Sequence, residues 1–299
     1  DETTLKRKME YFTEWYNKSI ESNSESGKIK WSRDLKKKFS KKQKASFDAD
    51  LVINTIYRPF IKKKHYSLKM FNDILTDNHY KMFGKNLNKK NEVFHFSGIG
   101  HNKTFTSLAY NSVFSLDSVE KGQSIPLKLF LDDGTEIENV SDWALDKFIK
   151  DYKDKSITKT AIFYYVFAAL HDPNYRKKYK ENLSLEFPKI PIHNDFWKWS
   201  KWGETLVNVQ SEYETAIPFE IQRIEKDVSS KNLKTIFKTD KVKGEIKLDE
   251  KTTLTGIPLA AFDYQLGIRS AIEWILDQYK VKAIKDDTIS HMFNDYKYI

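Results

Sequence analysis

The sequence predicts a mixed α/β fold (α+β): a basic N-terminal lobe with a β-rich insertion over residues 1–139, and a mainly helical lobe with a small β-ribbon over residues 140–299. Three observations predict it. Between Asp142 and Leu183 apolar and aromatic residues recur at helical spacing. Between Glu92 and Phe130 they alternate as strands do, with turn signals between the runs. Cations crowd the N-terminal part, with nine Lys or Arg against one acid from Lys28 to Lys44. The boundary near Asn139 marks the change of period.

In chain order, Leu5, Met9, Phe12, Tyr16 and Ile20 space as one face of a helix, and residues 22–27 read as a polar loop. Trp31, Leu35 and Phe39 follow at i, i+4 and i+8, so residues 28–44 read as a second helix with one apolar stripe and a basic remainder. Ile53, Ile56 and Tyr57 fall on one face, and Arg58-Pro59 ends that element. A second basic cluster, Lys62-Lys63-Lys64, lies close behind. Residues 66–87 are too mixed to assign. In the run from Glu92, Val93, His95 and Ser97 alternate with Phe94 and Phe96; three further strands and an Asp132-Asp133-Gly134 turn follow.

The helical part begins with Trp143, Leu145, Phe148, Ile149 and Tyr152. A second helix carries Ile157 to Leu170, with Ser156-Ile157-Thr158 as its cap region and His171-Asp172-Pro173 as its break. Tyr164, Tyr165 and His171 read as packing residues. Tyr175 to Leu183 is a short third helix, and residues 195–214 a longer one rich in tryptophan. Residues 237–254 read as a two-stranded ribbon turning near Lys243-Gly244, its approach made basic by Lys234, Lys238, Lys241 and Lys243 beside Asn232. Two short helices, 258–264 and 270–279, precede a fraying tail.

Composition narrows the chemistry. The net charge of +9 over 299 residues favours an anionic partner, nucleic acid before membrane, although lysine-rich sequences reach such values without binding anything. With no cysteine, thiol nucleophiles, disulfides and cysteine-ligated metals are excluded. No apolar run is long enough to span a membrane, and a cytoplasmic protein fits. The chain opens at Asp1 directly on a helical pattern, as a piece of a longer protein would.

The catalytic motifs are absent. There is no P-loop and no G-x-S-x-G turn, and the seven histidines include no pair at metal-ligand spacing. Phe96-Ser97-Gly98-Ile99-Gly100 invites comparison with a glycine loop that cradles S-adenosylmethionine, but a strand-like run follows it where such a loop needs a helix. Lys243-Gly244-Glu245-Ile246-Lys247 reads as a charged hairpin rather than a nuclease motif.

Several ordered blocks carry a family resemblance. They are Trp31-Ser32-Arg33, Tyr57-Arg58-Pro59-Phe60, Ser97-Gly98-Ile99-Gly100, and Ile162-Phe163-Tyr164-Tyr165-Val166 with Leu170-His171. Then come Tyr175-Arg176, Phe187-Pro188-Lys189-Ile190-Pro191, Thr255-Gly256-Ile257-Pro258, and Ser270-Ala271 with Glu273-Trp274. From about Ile29 to Lys282 the chain resembles the C-terminal specificity (target-recognition) region of type ISP restriction–modification enzymes; Lys189 stands where the family pattern carries an arginine. The resemblance implies sequence-specific recognition of double-stranded DNA, directing adenine-N6 methylation and cleavage by upstream catalytic domains. It implies a methyltransferase domain of the same polypeptide as partner, and S-adenosylmethionine, ATP and Mg2+ as cofactors of the parent enzyme. This part itself would be non-catalytic and hold none of them.

On that reading Lys30, Trp31, Ser32, Arg33, Lys36 and Lys37, with Lys62, Lys63 and Lys64, form the DNA-facing surface, the lysines supplying salt-dependent affinity. Arg33, Arg58 and the loop residues Ser97, His101, Asn102 and Lys103 are the candidate base readers, with Arg58 reading equally as a structural arginine that braces its loop. The alternative is a protein–protein interaction module that docks through the aromatic helix and the helical core without reading DNA. An independent hydrolase or nuclease is the third reading.

Overall fold

A computed structural model of the chain describes residues 1–73, 75–227 and 236–279. Asn232, Lys234, Lys282 and the tail expected to fray lie outside the described residues. Helix α1 (Glu2–Ser22) starts where the Asp1 carboxylate accepts the Thr4 N–H, and ends where Asn23 turns left-handed. Helix α2 (Arg33–Ser40) is shorter than the basic segment, because Ser32 is its N-cap and Trp31 precedes it. Trp31, Leu35 and Phe39 do pack together against Tyr16, forming one core with Ile20, Ile29 and Met70.

Strands β1 (Val52–Arg58) and β2 (Ile61–Tyr66) form an antiparallel hairpin with a bulge between Ile56 and Arg58. The expectation that Ile53, Ile56 and Tyr57 share a face fails. In a strand, residues three apart point to opposite sides, so Ile53 and Ile56 enter two different cores and Tyr57 is exposed. Helix α3 (Asp77–Phe83) occupies part of the stretch that resisted assignment.

The β-rich insertion is present as expected. β3 (Val93–Phe96) lies between β4 (Ser107–Tyr110) and β6 (Gln123–Pro126), antiparallel to both. The short β5 (Val113–Phe114) pairs in parallel with β1, and β7 (Lys128–Phe130) turns at Asp132-Asp133-Gly134 into β8 (Glu136–Glu138). Because β3 is central and covered on both faces, all four of its residues are buried.

Helix α4 (Asp142–Tyr152) is capped by Ser141, and α5 (Lys159–His171) by Thr158. α5 is apolar nearly all round because it is sandwiched. Phe163 and Phe167 pack on Phe94, while Ile162 and Tyr165 face Phe148 and Phe196. Tyr165 and Tyr175 also donate to the carbonyls of Pro191 and Lys189, pinning the proline-flanked run. The third helix is two pieces, α6 (Pro173–Lys178) and α7 (Lys180–Leu185). α8 (Phe196–Ser211) crosses α5 so closely that a Cβ on Gly203 would lie 1.8 Å from the Tyr164 carbonyl oxygen. Phe196 is buried and Trp199 stacks on His193 at 3.7 Å, but Trp197 and Trp202 are exposed.

The ribbon is wider than expected. β9 (Gln222–Glu225), β10 (Lys238–Asp240), β11 (Glu245–Lys247) and β12 (Thr252–Thr255) form a four-stranded antiparallel sheet in the order β10-β11-β12-β9. After α9 (Leu259–Asp263), a tight hairpin of β13 (Gln265–Leu266) and β14 (Arg269–Ser270) leads into α10 (Ala271–Tyr279). No helix among the described residues is long and apolar enough to cross a membrane.

The largest core runs across position 139. It joins Phe94, Phe96, Phe105 and Leu127 to Phe163, Phe167, Leu170 and Val207.

Candidate nucleic-acid interface

The candidate residues fall into three places. The first is the outer surface of α2, where Arg33, Lys36 and Lys37 are exposed, with Lys30 exposed just before it. Their charges meet local acids: Arg33 and Lys37 lie 3.5 Å from Asp34, and Lys36 2.6 Å from Glu25. Exposed pairs of this kind are weak and exchange readily for phosphate. Trp31 and Ser32 face inward instead. The Trp31 indole N–H donates to the Ser26 carbonyl, and the Ser32 hydroxyl caps α2 and donates to Asp73.

The second place is an open cleft of about 990 Å³ between α1, β2 and the 87–90 segment, lined in part by Lys62, Lys63 and Lys64. Lys62 pairs with Glu214 at 3.2 Å, Lys64 with Glu2 at 2.8 Å, and Lys63 sits over the Tyr57 ring. Asp1, Asp50, Glu212 and Glu214 also line it, so its charge is mixed.

The third place brings distant parts of the chain together. A cleft of about 680 Å³ is lined by Arg58 from the end of β1, Lys103 from the loop after β3, Lys121 before β6, and Arg269 at the start of β14. Glu120 is the acid among its described lining side chains, and its carboxylate accepts the backbone N–H groups of Asn102 and Lys103 at 3.1 and 2.9 Å. Burial opposes that charge, but the two N–H bonds, with the charges of Lys103 and His101, outweigh it and hold the carboxyl below its usual range. Glu120 therefore fixes the loop that carries Asn102 and Lys103 outward. The Lys121 ammonium braces the same loop by donating to the Gly100 carbonyl at 2.7 Å.

Ser97 and His101 face inward. The Ser97 hydroxyl accepts the Thr106 N–H, and the buried His101 ring lies 3.0 Å from the Gly98 carbonyl oxygen. The backbone is close-packed here: a Cβ on Gly98 would lie 2.0 Å from the Lys121 carbonyl oxygen, and one on Gly122 2.1 Å from the His95 ring. His95 is completely buried, and its burial pushes its pKa down to about 4.

The far wall is equally held. The Gly267 N–H donates to Thr106 Oγ1, Trp274 Nε1–H to the Leu266 carbonyl, and the Glu273 carboxylate accepts the Ser270 N–H and hydroxyl. Arg269 lies over the Trp274 ring and 3.4 Å from Asp277. Lys121 and Arg269 were missed in the sequence, where no basic run marks them. Arg269 lies just before Ser270-Ala271 and Glu273-Trp274, which gives that block a structural sense: it anchors the hairpin carrying the arginine.

The geometry is that of a cationic recess with braced walls, suited to a polyanion. Comparisons with known proteins bear on the chain as a whole. A family model described as the type ISP C-terminal specificity domain matches residues 1–298. The chain is similar over its whole length to a chain in a structure described as a cryoEM structure of a DrdV–DNA complex, with 33% identity and a TM-score of 0.90, covering 31% of that chain. It is similar over 97% of its length to the ATP-dependent type ISP restriction–modification enzyme LlaBIII bound to DNA, with 25% identity and a TM-score of 0.77, covering 20% of that chain. A nuclease-deletion mutant of the type ISP enzyme LlaGI with a DNA substrate mimic shares the fold at 24% identity and a TM-score of 0.76, with 100% of this chain and 29% of that one covered. The chain thus spans less than a third of each of these chains. No curated protein matches it.

Proposed function

This chain belongs to the type ISP C-terminal specificity domain family, and we propose that it recognises a short double-stranded DNA target through the cleft walled by Arg58, Lys103, Lys121 and Arg269. The observation that carries this reading is the convergence of these four cations from four separate segments. A solvated lysine face needs no such convergence. Arg58 and Arg269 are the base readers, since a guanidinium can meet two acceptors of a guanine edge at once. Lys103 and Lys121 hold phosphates beside them, and the α2 surface with Lys62, Lys63 and Lys64 adds affinity that is blind to sequence.

In the longer polypeptide, located in the cytoplasm, this domain positions one adenine for N6 methylation and licenses cleavage of unmodified sites. Catalytic domains outside this chain carry that chemistry, with S-adenosylmethionine, ATP and Mg2+ as their cofactors. The test is binding of the chain to a randomised duplex pool at two salt concentrations, with sequencing of the bound fraction. Enrichment of a short motif that survives the higher salt is the expected result. Binding without enrichment would reduce the domain to an electrostatic clamp.

A docking role has its own support. Between α8 and β9, Ile217 is 96% exposed and Phe219 66%, with Ile221 and Ile224 exposed beyond them. Such a strip suits contact with another protein domain, and the methyltransferase domain of the same polypeptide is the partner we assign to it. Absence of DNA binding at low salt would leave this docking role as the whole function.

A further inference from the structure

Of the four aliphatic side chains that line the cationic cleft, Val119 and Leu266 are buried and two are left in water. Leu116 is 66% exposed and Ile268 67%. Exposed aliphatics scattered singly over a surface need no explanation. These two differ in their setting, since they share one recess with Arg58, Lys103, Lys121 and Arg269.

Both also stand on braced turns. Ile268 is at the tip of the hairpin between β13 and β14, whose Gly267 has φ +74 and is tied by its N–H to Thr106 Oγ1 at 2.9 Å. The following helix holds the hairpin through Trp274 and Glu273. Leu116 opens a 3-10 turn, Leu116–Ser118, anchored where the Ser115 N–H donates to the Ile56 carbonyl at 2.8 Å, one strand position from Arg58's bulge. Two apolar tips lining one recess are therefore held in place among cations before any ligand arrives. Their ligand must be anionic and present small apolar groups at fixed positions.

Resting on the reading of this cleft as the DNA-recognition site, we propose that Leu116 and Ile268 read thymine methyl groups in the major groove. Phosphates satisfy the lysines, and guanine edges satisfy the arginines. Of the four standard bases, only thymine adds an apolar group in that groove. Leu116 and Ile268 are thus specificity determinants that act by contact rather than by hydrogen bonding. A base pair lacking the methyl leaves the aliphatic side chain against polar edges.

The experiment starts from the site enriched by the wild-type chain. Each thymine in it is replaced in turn by deoxyuridine, which removes the methyl and keeps every hydrogen-bonding group. Binding is measured for the wild type, Leu116→Ala and Ile268→Ala. For the wild type, affinity should fall about fourfold at one or two positions, the loss that follows from one unburied methyl group. The loss should vanish at one position in Ile268→Ala and at the other in Leu116→Ala. Both side chains are exposed, so thermal melting of the variants should match the wild type and exclude unfolding as the cause. An enriched site without thymine, deoxyuridine without effect on the wild type, or equal losses in all three proteins would overturn the proposal while leaving DNA recognition intact. If none of the proteins binds or enriches any duplex, the DNA reading itself fails.

Discussion

The α2 surface and the Arg58–Arg269 cleft are both cationic, yet they are assembled in opposite ways. On α2 the charges are neighbours in sequence, project from one convex helix and meet nearby acids such as Asp34 and Glu25. In the cleft they come from segments spread over more than two hundred residues, line one recess, and in the case of Lys121 stand on closely packed backbone. Charge density along the chain produces the first kind of surface. Only the fold produces the second. A convex cationic helix holds phosphates wherever they are, whereas cations lining one braced recess hold them there.

Acid should break this contrast most strongly. The cleft's supporting strand β3 buries His95 under Gly122, with its pKa lowered to about 4, and burial lowers that of His171 on α5 to about 3. The unfolded chain binds these protons near the ordinary histidine value of 6.5, and the folded chain does not. Stability therefore stays level above that value and falls as pH drops from 6.5 to about 4 for His95, because the unfolded state takes up more protons in that window. The His95 contribution alone is on the order of 3 kcal/mol at the acid end. Denaturant midpoints at pH 7.5 and 4.5 measure it, and equal midpoints would show that the cleft's support tolerates charge.

Packing supplies the next largest effect. Gly122→Ala drives a Cβ into the His95 ring and should cost about 2–3 kcal/mol in urea unfolding. It should also loosen the loop carrying Lys103, which is held by Glu120 two residues away. If stability is unchanged, the segment behind the cleft yields more easily than its close contacts imply.

Binding separates the two surfaces directly. Arg58→Ala and Arg269→Ala should each lower affinity for the enriched site by about 1–3 kcal/mol and relax preference at one position. Lys36→Ala and Lys37→Ala should weaken all duplexes alike and reduce the salt slope by about one unit each. Arg33, placed on α2 beside Asp34, should now behave as the lysines do. Uniform losses for Arg58→Ala and Arg269→Ala, measured by titration at two salt concentrations, would erase the distinction. The smallest effect belongs to the loop before α2. A Cβ on Gly27 meets nothing within 4 Å, so Gly27→Ala should stabilise by about 0.4–1 kcal/mol through the unfolded chain, visible as a small rise in melting temperature.

What could be seen in the sequence follows the same division. Local periodicity located α1, α4, α5 and β3, because those elements are set by the spacing of residues close in the chain. Thr158 was recognisable as part of a cap region, but Ser32, read as a surface residue inside a longer helix, was not recognised as the cap of α2. Arg58 and Lys103 could be picked out as candidates, but not as neighbours. Lys121 and Arg269 carried no signal, since a lone cation gains meaning only from what it faces. Ser97 and His101 were taken for donors because loops are usually solvated. The strand alternation pointed the other way: Ser97 continues the Val93–His95 face, and that face is buried. Of the two strands beyond the expected ribbon, β12 follows β11 after a short turn within the same segment, and β9 joins from before the undescribed 228–235 stretch, a pairing no local pattern announces.

The core that passes through position 139 bears on how new specificities arise. Exchange of recognition between related enzymes by recombination needs breakpoints at which the inherited halves fit each other. A crossover at 139 would have to match Phe94, Phe105 and Leu127 from one parent to Phe163, Phe167 and Val207 from the other. The elements we propose as readers lie outside that constraint: the loop around Lys103, the turn at Leu116 and the hairpin at Ile268 are short and exposed at their tips. Divergence of target preference is therefore expected to proceed by substitution and small insertions at these three tips, with the domain inherited whole.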